Sequence, residues 1–74
     1  MEIQAHKDFL IGFGKNLTKL RKQNKLSRVQ LAFEIGTHEK QLRLIEKGEI
    51  NTGILSLFKI AKVFNISTKD LLDF

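Results

Sequence analysis

Apolar residues recur every three or four positions along most of the chain, and no stretch alternates with period two for long enough to make a strand. The pattern predicts an all-α fold, a compact bundle of five helices. The first carries Phe9, Phe13, Leu17 and Leu20 on one face and ends near Gln23. Gly12 and Gly14 each cost about 1 kcal/mol relative to alanine inside a helix, which leaves its start open to as late as Gly14. The second helix opens at Ser27 with Gln30 three residues on, a capping box in which hydroxyl and amide satisfy one another's backbone N–H groups. Leu31, Ala32 and Ile35 form its inward face, and Gly36 is free to take the left-handed conformation that ends it. Thr37 and His38 separate it from a third short helix, about residues 39–47, with Leu42 and Ile45 inward and Gly48 as terminator. After a loop at residues 49–53, a fourth helix carries Ile54, Leu57, Phe58, Ala61 and Phe64, with Asn65 as a left-handed stop. Ser67 and Asp70 resemble a second capping box, opening a last turn through Leu71 and Leu72.

Length and composition narrow the field. Seventy-four residues predict one domain spanning residues 1–74, with no proline, repeat or low-complexity tract to divide it. A chain this short buries only about 60–65% of its unfolded surface, so its core must be efficiently built. It has no cysteine to supply a disulfide or a thiolate metal site, which also fits a reducing compartment. His6 and His38 lie far apart without a second ligand at helical or loop spacing, so they read as surface or capping residues, and no metal or cofactor is expected. With no serine–histidine–carboxylate ordering, no carboxylate cluster and little room for a concave pocket, catalysis is not expected either. No apolar stretch approaches the ~20 residues of a membrane span. Glu2, His6, Lys7 and Asp8 break the order of a signal peptide, so the expected location is the cytoplasm.

Charge adds a partner. The net charge is +5 with a pI near 9.8, a balance that favours a polyanion. From Lys15 to Arg28 there are six basic residues (Lys15, Lys19, Arg21, Lys22, Lys25, Arg28) and no acidic one. That run spans the end of the first predicted helix and the start of the second.

Two short helices joined by a tight glycine turn form a helix-turn-helix unit, although generic helical hairpins share that outline. The particular residues sharpen it. From Leu20 the chain reads Leu-Arg-Lys-Gln-Asn-Lys-Leu-Ser-Arg-Val-Gln-Leu-Ala, then Gly36, Leu42, and Ile45-Glu46-Lys47-Gly48. Together with Leu57-Phe58-Lys59-Ile60-Ala61-Lys62 and Asn65-Ile66-Ser67, this order resembles the phage-repressor and Cro type of helix-turn-helix family, also called the xenobiotic-response-element family. The resemblance covers about residues 13–72 and implies a lambda-repressor-like DNA-binding domain acting as a transcriptional regulator, with double-stranded DNA as partner and the nucleoid as its place in the cell.

Roles transfer by position. The resemblance makes Arg21 and Glu46 a partly buried salt bridge between the first helix and the end of the third. Arg28 stands where the family usually has glutamine and is expected at a DNA phosphate, with Lys25, His38 and Lys47 as further phosphate contacts; His38 is equally a cap for the third helix. That helix is expected in the major groove, its first turns exposing Glu39, Lys40, Gln41 and Arg43 to base edges. Three departures from the family pattern stand out: Arg43 replaces a small serine, Leu44 a commonly polar residue, and Thr52 a proline. A single recognition helix reads few base pairs, which implies a homodimer on a two-fold symmetric operator with half-sites about 34 Å apart. Ile50, Ile54, Leu55, Leu72 and Phe74 are the candidates for its surface. The competing readings are an antitoxin that binds a toxin with the same fold, a helix-turn-helix that only mediates protein contacts, and non-specific RNA binding. The last is disfavoured on the expectation that the six phenylalanines fall mostly in the core.

Overall fold

The computed structural model describes residues 3–74, all in helices and short connections: α1 (Ile3–Gln23), α2 (Arg28–Ile35), α3 (Glu39–Glu46), α4 (Ile54–Val63) and α5 (Thr68–Leu71). The five-helix, all-α expectation holds. The first helix starts near the beginning of the chain and runs straight through Gly12 and Gly14. Gly14 is there for close approach, because a Cβ on it would lie 2.7 Å from the Glu46 carbonyl carbon, inside any tolerable contact. It therefore lets α1 cross directly over the C-terminal end of α3.

Four helices stop in the same way. In each, a residue in left-handed conformation follows the last turn, and paired backbone bonds close it in the Schellman pattern. Gly36 and Gly48 fill that position after α2 and α3, and Asn65 fills it after α4, as their composition predicts. After α1 it is Lys25, with φ of 57°, donating to the Lys22 carbonyl while Leu26 donates to that of Arg21. A lysine is unfavourable there, since its Cβ crowds the carbonyl, and nothing in its identity announces the turn.

The starts divide differently. Ser27 and Gln30 complete the capping box of α2, each bonding the other's backbone N–H. At α5 only half of the expected box forms: Ser67 accepts from the Asp70 N–H at 3.0 Å, and no return bond is present among the described residues. The aspartate side chain is one methylene shorter than the glutamate or glutamine of a full box.

The core gathers Phe13, Leu17, Leu31, Ala32, Ile35, Leu42, Ile45, Ile60, Ala61, Phe64 and Leu71, with Leu20, Leu26 and Leu57 packed against it. Two expectations fail at its edge. Phe9 shares the inward stripe of α1, yet the first turns of that helix overhang the bundle, and Phe9 is more than half exposed beside Phe74, ring centroids 5.3 Å apart. On α4 the inward stripe is half-buried Leu57 with buried Ile60, Ala61 and Phe64; Phe58 lies about 100° round from Leu57 and Ile54 at the open end of the helix, and both are exposed. With Phe33 and Phe74 also exposed, only Phe13 and Phe64 of the six phenylalanines are buried. The phenylalanines therefore do not fill the core as expected, and their placement no longer disfavours RNA.

Candidate nucleic-acid interface

Helices α2 and α3, with the turn between them, form one face of the molecule. The turn is fixed at both sides. Gly36 donates to the Phe33 carbonyl and Thr37 to that of Ala32, closing α2. His38 then caps α3, its Nδ1 accepting from the Gln41 N–H at 3.3 Å, so the capping option read from its position is the one seen.

The inward side of α3 is Leu42, Ile45 and Glu46, all buried. The Glu46 side chain is 2% exposed and receives Arg21 Nε at 2.7 Å and Arg21 Nη2 at 3.2 Å. Arg21 Nη1 donates to the Leu26 carbonyl at 2.9 Å, tying the same guanidinium to the α1–α2 connection. This two-pronged pair is the bridge expected between Arg21 and Glu46. A buried carboxylate needs such compensation, because desolvating an ion costs several kcal/mol before any partner is counted.

Sequence reasoning missed a second cation on the same carboxylate. Arg28 Nε donates to Glu46 Oε1 at 2.9 Å, so two arginines from α1 and α2 converge on one glutamate of α3. The available signal was the departure itself: arginine where the family has glutamine reaches further and carries charge. Another buried polar contact also went unread, Asn16 Nδ2 donating to the Leu71 carbonyl at 2.9 Å and fastening α1 to α5.

The outward side of α3 is of another character. Lys40 and Gln41 are exposed, Arg43 and Glu39 half-exposed, and Leu44 is half-buried outside the core cluster. Glu39 lies between two guanidinium groups, with Arg28 Nη1 at 3.9 Å from one carboxylate oxygen and Arg43 Nη1 at 4.0 Å from the other. Lys40 has no acidic group within ion-pair distance among the described residues, and neither do Lys25 or Lys47 at the rim. The four candidate base-reading residues thus lie together within the first five residues of α3.

A short, capped helix locked by its inner side against α1, α2 and the core, with a polar outer side of net positive charge, is the reading element of a helix-turn-helix. The helix-turn-helix family model matches residues 17–71. The chain belongs to that family, in its repressor and Cro branch of DNA-binding transcriptional regulators. Its relatives include the control protein C.BamHI of Bacillus amyloliquefaciens, 35% identical over 63 residues that span 84% of this chain and 78% of that protein. Among solved structures it is similar to the restriction-modification controller protein C.AhdI from Aeromonas hydrophila, with a TM-score of 0.84 and 30% identity, covering 89% of this chain and 96% of that one.

Proposed function

We propose that the chain is a restriction–modification controller, a single-domain regulator that binds duplex DNA as a homodimer and reads the major groove with Glu39, Lys40, Gln41 and Arg43. The observation that carries the reading is the exposed polar outer side of α3 on a helix whose inner side is fully buried. Lysine and arginine match the O6 and N7 acceptors of guanine, glutamine matches adenine, and a carboxylate accepts from cytosine N4. Near full-length similarity to two controller proteins favours this class over a phage repressor or an antitoxin.

His38 and Lys47 flank α3, Lys25 lies in the connection between α1 and α2, and all three serve as phosphate contacts, which hold register without reading sequence. Arg28, expected among them, is assigned elsewhere, since its Nε–H donates to Glu46 and its Nη1 lies 3.9 Å from Glu39. For the homodimer, exposed Ile54 and Leu55 at the start of α4 and Leu72 supply apolar surface, and Phe74 adds the half of its surface left exposed beside Phe9; Ile50 is half-buried against the core and contributes less.

The test is binding-site selection from random duplex DNA near physiological salt, on the wild type and on Lys40→Ala/Arg43→Ala. The expected result is a short two-fold symmetric motif for the wild type, lying upstream of restriction and modification genes, and its loss in the variant. Enrichment of nothing, with retention set by ionic strength alone, would refute sequence-specific reading. A motif far from such genes would leave a regulator that controls something else.

A further inference from the structure

Five of the charged residues at this interface form one alternating series that runs from the core to the outer side of α3. Arg21 holds Glu46, Glu46 holds Arg28, Arg28 approaches Glu39, and Arg43 approaches Glu39 from the other side. The inner links are hydrogen bonds of 2.7 and 2.9 Å to a carboxylate that is 2% exposed, so one edge of the Arg28 guanidinium is fixed by the core. The outer links, at 3.9 and 4.0 Å, lie on half-exposed groups.

We propose that Arg28 is a specificity-determining positioning residue, which holds Glu39 as the acceptor that selects cytosine. This rests on the base-reading role proposed for Glu39. A lone carboxylate at the tip of a recognition helix faces the field of the duplex, one negative charge per about 1.7 Å of axis, and is repelled. Two guanidinium groups beside it offset that repulsion and restrict where its oxygens go. An ionised carboxylate only accepts hydrogen bonds. In the major groove it therefore selects a base that presents a donor, and cytosine N4 does so without the adjacent N7 acceptor that adenine presents. Arg28 acts through Glu39, not by touching the base. Its Nε–H is turned to Glu46 and its Nη1 lies toward Glu39, which leaves less of the guanidinium to meet a phosphate.

The experiment is binding-site selection on the wild type, Arg28→Gln, Glu39→Gln and the double variant, each first checked by thermal melting. The wild type should prefer cytosine at one position per half-site by about fivefold or more, the lower end of discrimination by a good base contact. Glu39→Gln should remove that preference or turn it toward adenine. Arg28→Gln should flatten the same position and leave the others intact, and the double variant should be no flatter there than Glu39→Gln alone. If Arg28→Gln melts too early for selection, Arg28→Lys keeps a charge near Glu46 without the two-sided reach and should flatten the same position in part.

A motif unchanged in folded Arg28→Gln or Arg28→Lys, with affinity lowered at every position alike and the slope of log affinity against log salt reduced by about 0.9, would overturn the proposal and make Arg28 a phosphate contact. A wild-type motif that Glu39→Gln leaves unchanged would overturn it as well. A wild type that enriches no motif would instead overturn the DNA-reading assignment on which it stands.

Discussion

The two sides of α3 share eight residues and differ in what holds them. On the inner side Leu42, Ile45 and Glu46 are buried, and both carboxylate oxygens of Glu46 are matched to an arginine. On the outer side Lys40 and Gln41 are exposed, and neither side chain makes a hydrogen bond among the described residues. The inner side is fixed by the cost of leaving it unsatisfied. The outer side has partners to gain only from outside the chain. A helix built this way is held rigid by one surface so that the other can meet a ligand already in position.

Substitutions should therefore separate into two kinds, and the largest effects belong inside. Glu46→Ala leaves buried Arg21 without its carboxylate and should cost about 3–5 kcal/mol. A 74-residue domain has only about 4–11 kcal/mol in all at typical per-residue stability, so thermal melting should find this variant largely or wholly unfolded. Leu42→Ala opens a cavity at a fully buried position and should lose about 2–5 kcal/mol by urea denaturation. Gly14→Ala would gain about 1 kcal/mol of helix propensity, yet its methyl would collide with the backbone of residues 45 and 46. Forcing α1 and α3 apart should outweigh that gain, for a net loss of about 1–2 kcal/mol in the same assay. Ser27→Ala removes the hydroxyl of the α2 capping box and should cost about 1 kcal/mol. If Glu46→Ala, Leu42→Ala and Gly14→Ala left stability unchanged while weakening DNA binding, the division between the two sides would fail.

The same division explains what was legible in the sequence. Ser27 with Gln30, Gly36, Gly48 and Asn65 each announce a helix end through their own chemistry, and each is found at that end. Leu42, Ile45 and the Arg21–Glu46 bridge follow from periodicity and family resemblance, because burial forces their pattern. Less was readable where a residue's neighbours depend on how helices cross. Phe9 lies on the correct stripe of α1 but beyond the body that would cover it, and Phe58 is one residue round from Leu57, which packs half-buried against the core. The bond from Arg28 to Glu46 joins residues 18 apart through the packing of α2 on α3, a distance that no spacing rule encodes. Lys25 adopts its left-handed turn because the Schellman bonds after α1 require that conformation there, whatever residue occupies it.

The smallest predicted effect on stability carries the central claim. Lys40→Ala/Arg43→Ala alters only the outer side of α3, so its unfolding free energy should stay within about 0.5 kcal/mol per site of the wild type. The decisive measurement is an equilibrium titration of the selected duplex with this variant and with wild type, taken from preparations whose melting curves have been recorded. The account predicts nearly coincident melting and at least about a tenfold loss of affinity, since each base contact contributes about 1–3 kcal/mol of discrimination. Coincident melting with undiminished affinity would contradict it, and would place the reading surface somewhere other than the outer side of α3.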